Sequence, residues 1–245
     1  MDFQEYLDDK RKIEDVLLLL MHEETDDDDI LNKFIQYVDE QMICSDENEF
    51  RLLLYLIDSI TKNHCRNHMF YSRLKSILLH FKDEFKKYFS ELEMLKIFIN
   101  NKPIVLILLE NDLISFDEFT AIHYIEKNSA SHYSFFYPEI KKYLDEQHIQ
   151  KIENDFKVDL KDENFFNEFN EKRRLGVNDS YICKLIRDDS VEEFVEYINH
   201  KNIPISGQIM PSIFETNQYL INNNPTLIEY AAFYGSIQIF QYLKF

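Results

Sequence analysis

The chain has 245 residues, of which 45% are hydrophobic, and its 45 acidic and 27 basic side chains give a formal net charge of -18. The hydrophobic content is above that of disordered segments, so we expect a folded protein of one or two domains. The acidic balance argues against nucleic-acid binding and against adsorption to anionic membranes, because both depend on clustered Lys and Arg.

The N-terminal part reads as a series of capped helices. Apolar residues from Phe3 to Met21 fall on one helical face. The run TDDDD, Thr25–Asp29, supplies an N-cap and an acidic first turn for a helix over 30–42, and we prefer this reading to an acidic metal site. Ser45-Asp46-Glu47 then caps a third helix that reaches Ile60.

Helix continues to follow helix up to about residue 174. The spacing of apolar residues predicts helices over about 68–88, 90–100, 103–110, 115–127, 136–146 and 148–173. The chain has only three glycines and five prolines, too few for the many turns of an all-β protein. We therefore predict an all-α fold, a helical bundle or solenoid.

An internal repeat begins after residue 174. Ser180–Ile198 (SYICKLIRDDSVEEFVEYI) aligns with Thr226–Lys244 (TLIEYAAFYGSIQIFQYLK) at a constant spacing of 46 residues. Each copy predicts a helix, a tight turn and a second helix, and Asp189 stands where the second copy has Gly235. We therefore divide the chain into a helical region, 1–174, and a repeat region, 175–245, whose copies span about 178–199 and 224–245.

The second copy resembles an ankyrin repeat, whose core follows the pattern T-P-L-H-x-A-A-x-x-G-H-x-x-V-V-x-x-L. The matching positions are Thr226, Ile228, Ala231, Ala232, Gly235, Ile239, Phe240 and Leu243. The pattern implies that Thr226 caps the first helix, that the alanine pair lets the helices approach, and that Gly235 turns the chain in the left-handed conformation. Leu227 and Glu229 replace the usual proline and histidine, and the spacing exceeds the usual value of about 33 residues.

The chain also resembles a large ankyrin-repeat family that is expanded in parasitic protists and carries an uncharacterised helical region ahead of the repeats. The phrases LIRDDSVEEFVEYIN, PSIFETNQYLI and TLIEYAAFYGSIQIFQYLK carry this resemblance, which covers about residues 175–245. It implies a helical bundle or solenoid continuing into two ankyrin-like helix-turn-helix repeats. It also implies a non-enzymatic protein–protein interaction scaffold, with no cofactor.

By analogy with such repeats, surface positions on the first helix of each copy are the candidate partner contacts. These are Tyr230, Phe233 and Tyr234 in the last copy and Lys184, Arg187 and Asp188 in the one before. The aromatic trio suits interface anchors, or it packs on the long connection over 199–224. Ile237, Phe240 and Leu243 suit a stacked helix pair, so we expect further repeats or a partner protein to cover the C-terminal end.

The sequence predicts no catalytic, cofactor or metal site. His64-Cys65-x-x-His68 places two histidines one turn apart, but zinc needs three or four ligands, so we favour a solvated helix junction. Cys183 falls on a predicted helix and suits a buried thiol better than a nucleophile. Asn178-Asp179-Ser180 is expected to begin and cap a helix rather than carry a glycan. Two alternatives stay open: an enzyme or ligand-binding site within 1–174, and a capping fragment of a longer repeat protein.

The cysteines and the N-terminus point to an intracellular, cytoplasmic protein without membrane insertion. Cys44, Cys65 and Cys183 are odd in number and widely spaced, which fits a reducing compartment. No basic segment followed by an apolar stretch opens the chain at Met1, so no signal peptide is predicted.

Overall fold

The computed structural model describes residues 3–22, 28–64, 67 and 69–244. Within these ranges every regular element is a helix, and the β pairing is limited to one isolated bridge between Gln208 and Thr226. The all-α fold class is therefore confirmed. Across the same ranges, no helix has the length and apolar character needed to cross a membrane.

The chain divides into two compact units, Met1–Lys127 and Asn128–Phe245. The boundary that we placed between residues 174 and 175 lies inside the second unit, and the division into a helical region and a repeat region stays a prediction. The first unit contains α1 Phe3–His22, α2 Asp28–Glu40, α3 Glu47–Asn63, α4 Phe70–His80, α5 Lys82–Tyr88, α6 Glu91–Ile97, α7 Lys102–Glu110 and α8 Glu118–Lys127.

Side-chain caps begin several helices of the first unit. The Asp46 carboxylate accepts hydrogen bonds from two backbone N–H groups at the start of α3, as predicted. Ser90 and Glu93 form a reciprocal capping box at α6. Most of the run Thr25–Asp29 lies outside the described residues, and α2 begins at Asp28.

The core of the first unit is rich in phenylalanine, and one of these residues lies at a break in a helix that we predicted to be continuous. The Phe50 ring lies 5.6 Å from the Phe81 ring, 5.5 Å from Phe85 and 5.9 Å from Phe89 between ring centroids. Phe81 is 1% exposed and ends α4. The single helix predicted over 68–88 is therefore two, and Phe81 turns into the core at the break between them.

A polar network ties α3 to the start of α7 in this unit. The Asn101 side-chain amide donates to Asp58 Oδ1 at 3.0 Å and to Thr61 Oγ1 at 2.9 Å. Lys62 bonds the other Asp58 oxygen, and burial raises the pKa of the Asp58 carboxyl. The buried polar groups of this network bond to one another, so we read it as a packing device between helices.

The second unit begins with short pieces and ends with longer helices. It contains α9 Ala130–Tyr133, α10 Tyr137–Ile140, α11 Glu146–Phe156, α12 Phe169–Leu175, α13 Tyr181–Arg187, α14 Val191–Lys201, α15 Gln218–Asn223, α16 Leu227–Tyr234 and α17 Ile237–Leu243.

Two helices predicted in this unit are interrupted. Short 3₁₀ turns at Ser134–Phe136 and Lys141–Tyr143 flank α10, so the helix predicted over 136–146 is wrong. The helix predicted over 148–173 is also wrong, because it is interrupted after Phe156. There Lys157 turns left-handed with φ 55°, and the Asp159 and Asp162 carboxylates bond backbone N–H groups two residues ahead of them.

Candidate protein interface

Two helix hairpins form the C-terminal part of the second unit. The first hairpin is α13 and α14, and the second hairpin is α16 and α17. Helix α13 packs on α16, and α14 packs on α17. Their shared core contains Leu185, Ile186, Phe194, Ile198, Leu227, Tyr230, Ala231, Ile239 and Leu243. The two copies of the internal repeat therefore stack on each other directly.

The turn and the cap predicted for the second hairpin are both present. Gly235 is left-handed with φ 71° and ends α16. Thr226 caps α16 through its hydroxyl, and Glu229 completes a capping box by accepting from the Thr226 backbone N–H and hydroxyl, each at 2.8 Å. Glu229 thus helps to hold the start of α16.

The first hairpin departs from its expected cap. Helix α13 begins after Ser180, as predicted, but the Ser180 side chain makes no capping hydrogen bond. Asn178 holds the entry instead, because its Oδ1 accepts from the Ser180 backbone N–H at 3.0 Å and its Nδ2 donates to the Met210 carbonyl at 2.8 Å. Asn178 is buried, which fits this structural role.

Among the described residues, polar contacts join the hairpins at three places. The Ser236 hydroxyl donates to the Ile186 carbonyl. The Asp189 carboxylate accepts from the backbone N–H groups of Gln238 and Ile239, each at 3.0 Å. Together with the apolar core, these contacts fix the register of one hairpin against the other.

The third contact involves two of the residues predicted to meet a partner. Arg187 Nη1 donates to the Tyr230 hydroxyl at 2.9 Å and to the Asn178 carbonyl at 2.8 Å. Tyr230 is 1% exposed, and burial raises the pKa of its hydroxyl. Arg187 is half-buried. The placement of Tyr230 on the surface is therefore wrong: its ring belongs to the core between the hairpins.

The other four candidate contacts lie at or near the surface. Lys184 and Asp188 are exposed and pair with each other at 2.8 Å. Phe233 is half-buried and stacks on Tyr219 of the connection, with ring centroids 6.0 Å apart. Tyr234 is half-buried beside Phe233. For Phe233 the alternative of packing on the connection is thus realised, and contact with a partner stays a prediction for all four.

The connection between the hairpins, residues 202–226, is ordered by backbone pairing. The Ile209 N–H donates to the Pro225 carbonyl at 2.8 Å, and the Leu227 N–H donates to the Gly207 carbonyl at 3.0 Å. These bonds close the connection into a loop that ends where α16 begins. Sequence reasoning missed this pairing, because no alternating apolar pattern marks so short a contact.

The connection also packs against residues 160–180 of the same unit. The Phe214 ring lies 5.0 Å from the Phe169 ring. The Thr216 hydroxyl donates to the Gly176 carbonyl at 2.7 Å. Helix α12 and Gly176, which ends it, therefore contact the connection, and the connection in turn joins the two hairpins.

A small cavity lies between the connection and the hairpins. It measures about 40 Å³, with Asn178, Ser212, Glu215 and Tyr230 among its lining residues. A space of this size holds a few water molecules, whereas small-molecule pockets measure about 300 Å³ or more. We therefore assign no small-molecule ligand to it.

Two faces of the stacked hairpins are open, and they differ in chemistry. The outer face of the second hairpin is a shallow groove lined by Ala231, Ala232, Gly235, Ser236, Ile237, Phe240, Gln241 and Lys244. The opposite face of the first hairpin is lined by Tyr181, Glu193, Glu196, Tyr197 and His200. One face is thus largely apolar and the other polar and aromatic. Of the alanine pair, Ala231 is buried between helices and Ala232 is exposed on the groove.

The remaining chemical candidates behave as structural groups. Cys183 is fully buried, as predicted, and burial raises the pKa of its thiol to about 11. His64 is buried with its ring 6.2 Å from that of Phe70, so the solvated position predicted for it is wrong; Cys65 and His68 lie outside the described residues. The described part of the chain holds no group of three His, Cys, Asp or Glu side chains suited to a metal ion.

In comparisons with known proteins, no family model, no curated protein and no solved structure matches this chain.

Proposed function

We propose that this chain is a non-enzymatic protein–protein interaction scaffold of the ankyrin-repeat type, acting inside the cell in the cytoplasm. The observation that carries the proposal is the direct stacking of two equivalent helix hairpins, joined at a constant sequence spacing of 46 residues. Such stacks bury a shared core between units and leave the outer surfaces of each unit available for partners.

The chemistry of the hairpins supports a structural role. The buried Asn178 and Ser236 and the half-buried Arg187 and Asp189 all bond to backbone groups. Cys183 is held in its thiol form by burial. Each of these groups is explained by folding, and none needs a substrate to account for its position.

The interaction surface that we propose contains the exposed pair Lys184 and Asp188 and the half-buried Phe233 and Tyr234. Lys184, Phe233 and Tyr234 lie on the first helices of the hairpins, α13 and α16, and Asp188 directly follows α13. Aromatic side chains on such a surface contribute strongly to binding when a partner desolvates them. Tyr230 is left out of this surface, because its ring fills the core. Arg187 is left out as well, because its guanidinium donates to the Tyr230 hydroxyl and the Asn178 carbonyl.

The test is affinity capture from cells that express the full chain, with bound proteins quantified by mass spectrometry. The variant replaces Lys184, Asp188 and Phe233 together by alanine and leaves Tyr230 intact. Its matched control is Glu192→Gln on α14, and circular dichroism verifies that all chains are folded. We expect at least a tenfold loss of a specific partner in the triple variant and no loss in the control. Equal recovery from the folded triple variant would contradict the proposed surface.

A further inference from the structure

The contact between the two hairpins shows which side chains one hairpin places against the next. Toward the second hairpin, the first presents Leu185, Ile186, Val191, Phe194 and Ile198. All but Val191 are at most 2% exposed. This face of a hairpin is therefore a receiving face: it accepts the apolar side of the hairpin that follows.

The corresponding face of the second hairpin is open. The residues 46 positions further along the chain are Ala231, Ala232, Ile237, Phe240 and Lys244. All five line the outer groove. Ile237 is 65% exposed, whereas its counterpart Val191 is half-buried and packs against the core that the hairpins share. Among the described residues, the second hairpin thus has an open receiving face.

The outer face of the first hairpin, at the opposite end of the stack, is polar where the second hairpin is apolar. Leu227, Ile239 and Leu243 face the first hairpin and are buried. Their counterparts in the first hairpin, 46 residues earlier, are Tyr181, Glu193 and Tyr197. Tyr181 is 49% exposed and Glu193 is exposed. A polar outer face is what the terminal unit of a repeat stack requires for solubility, and the first hairpin has such a face.

We propose that the outer groove of the second hairpin docks one partner, a helix hairpin with the inner-face chemistry of α16–α17. This partner offers aliphatic side chains equivalent to Leu227, Ile239 and Leu243. It also offers a hydroxyl equivalent to Ser236, which donates to the Ala232 carbonyl as Ser236 donates to that of Ile186. The inference rests on the proposed scaffold function and names the class of partner.

Differences between the two receiving faces specify the partner further. Ala231 and Ala232 replace the larger Leu185 and Ile186, so the groove accepts bulkier side chains than those of α16–α17. Gly235 replaces Asp189, so the groove has no carboxylate to cap the partner's second helix, and the partner needs an acidic or hydroxyl cap of its own. Lys244 replaces Ile198 and favours a carboxylate on the partner near that edge.

The test presents such a hairpin to the groove in a known geometry. A second copy of residues 200–245 is joined directly after Phe245, which keeps the spacing of 46 residues. Both the parent and the extended chain carry Ile237→Cys, and the rate of alkylation of the introduced thiol is measured by peptide-level mass spectrometry. We expect the extension to slow this rate at least tenfold. Met210→Cys, at an exposed position of the connection, is the control whose rate stays unchanged.

Three further results test the proposed docking of a helix hairpin in the groove. Aspartate substitutions at the copied positions of Leu227 and Ile239 should restore fast alkylation, because they remove the apolar side of the added hairpin. Alkylation at residue 237 that is equally fast with and without the extension would overturn the proposal. Slow alkylation in the unextended chain, together with a dimer in analytical ultracentrifugation, would also overturn it, because a second copy would then be the occupant.

This experiment is separable from the test of the scaffold function. A failed extension leaves capture through Lys184, Asp188 and Phe233 intact, and the scaffold function then stands without the hairpin partner. If the added hairpin slows alkylation but the triple variant recovers its partner as well as the parent chain does, docking in the groove stands and the proposed surface does not.

Discussion

The carboxylate of Asp189 accepts a hydrogen bond from the backbone N–H of Ile239 at 3.0 Å, linking the turn of one hairpin to the first turn of α17 in the next. Asp189 itself is left-handed, with φ 49°. Its counterpart in the second copy is Gly235. Asp189 thus holds a backbone conformation that glycine would adopt more easily, and its side chain caps α17 of the second hairpin.

We expect Asp189→Ala to lower the free energy of unfolding by about 1–2 kcal/mol, since it removes a helix cap and alanine tolerates the left-handed region less well than aspartate does. Asp189→Gly should cost less, because glycine relieves the backbone and loses only the cap. Urea unfolding of the full chain measures both, and hydrogen exchange at Gln238 and Ile239 localises the effect. Asp188→Ala, which loses only an exposed ion pair, is the control and should change stability by at most ~1 kcal/mol. Equal stability of the alanine and glycine variants would contradict this account of Asp189.

The hydrogen bond between Arg187 and Tyr230 should be visible as a modest stability term. Tyr230→Phe leaves the ring in the core but removes the acceptor of a partly buried guanidinium, so we expect a loss of about 1–2 kcal/mol. Tyr230→Ala also opens a cavity and should cost about 3–5 kcal/mol. Tyr181→Phe, at an exposed ring, is the matched control and should be nearly neutral. If Tyr230→Phe were as stable as the parent chain, the bond would contribute nothing to folding.

Two left-handed glycines should respond differently to a methyl group. Gly235 has φ 71° and no atom within 4 Å of an added Cβ, so Gly235→Ala carries only the backbone cost of about 1–2 kcal/mol. Gly176 has φ 66°, and its added Cβ would lie 2.7 Å from Thr216 Oγ1. Gly176→Ala therefore adds a steric clash and displaces the hydroxyl that bonds the Gly176 carbonyl.

Thermal unfolding of the two glycine variants gives the comparison. We expect the Gly176→Ala chain to have the lower melting temperature. In the double variant Gly176→Ala with Thr216→Ala, removal of the clashing hydroxyl should recover part of the loss. The reverse order of the two single variants would contradict the contact between Gly176 and Thr216.

The parts of this fold that follow from local sequence were predictable, and those that depend on the connection were not. Asp46, Thr226 and Gly235 act within one turn of their own helices, so their roles follow from residue type and spacing. The capping box of Thr226 and Glu229 was also present in the sequence as T-x-x-E, and comparison with the usual repeat pattern obscured it.

The burial of Tyr230 required information that the sequence does not carry locally. Its ring shares a core cluster with Ile209 and Leu220 of the connection. The connection has no helical periodicity in its sequence that would have placed these residues in advance. The chemistry of the outer faces, in contrast, could have been read from the alignment at a spacing of 46. That alignment sets Tyr181, Glu193 and Tyr197 against Leu227, Ile239 and Leu243.

The capping carboxylate of Glu229 should make the second hairpin sensitive to acid. Hydrogen bonds from the Thr226 backbone N–H and then from its hydroxyl lower the pKa of Glu229 below its ordinary value of 4.5. A carboxyl group whose pKa is lowered by folding stabilises the folded state above its unfolded pKa, and this contribution disappears as the pH falls through the folded value. Glu229→Gln should therefore be less stable than the parent chain at pH 7, and the two should converge below about pH 4.

Urea midpoints of the two chains at several pH values between about 3 and 7 measure this convergence. Glu196→Gln is the matched control, because Glu196 is exposed in the middle of α14, away from any helix start. Its midpoint should stay close to that of the parent chain across the same range. A difference between Glu229→Gln and the parent that is constant with pH would show that the box acts through side-chain packing and not through the ionised carboxylate.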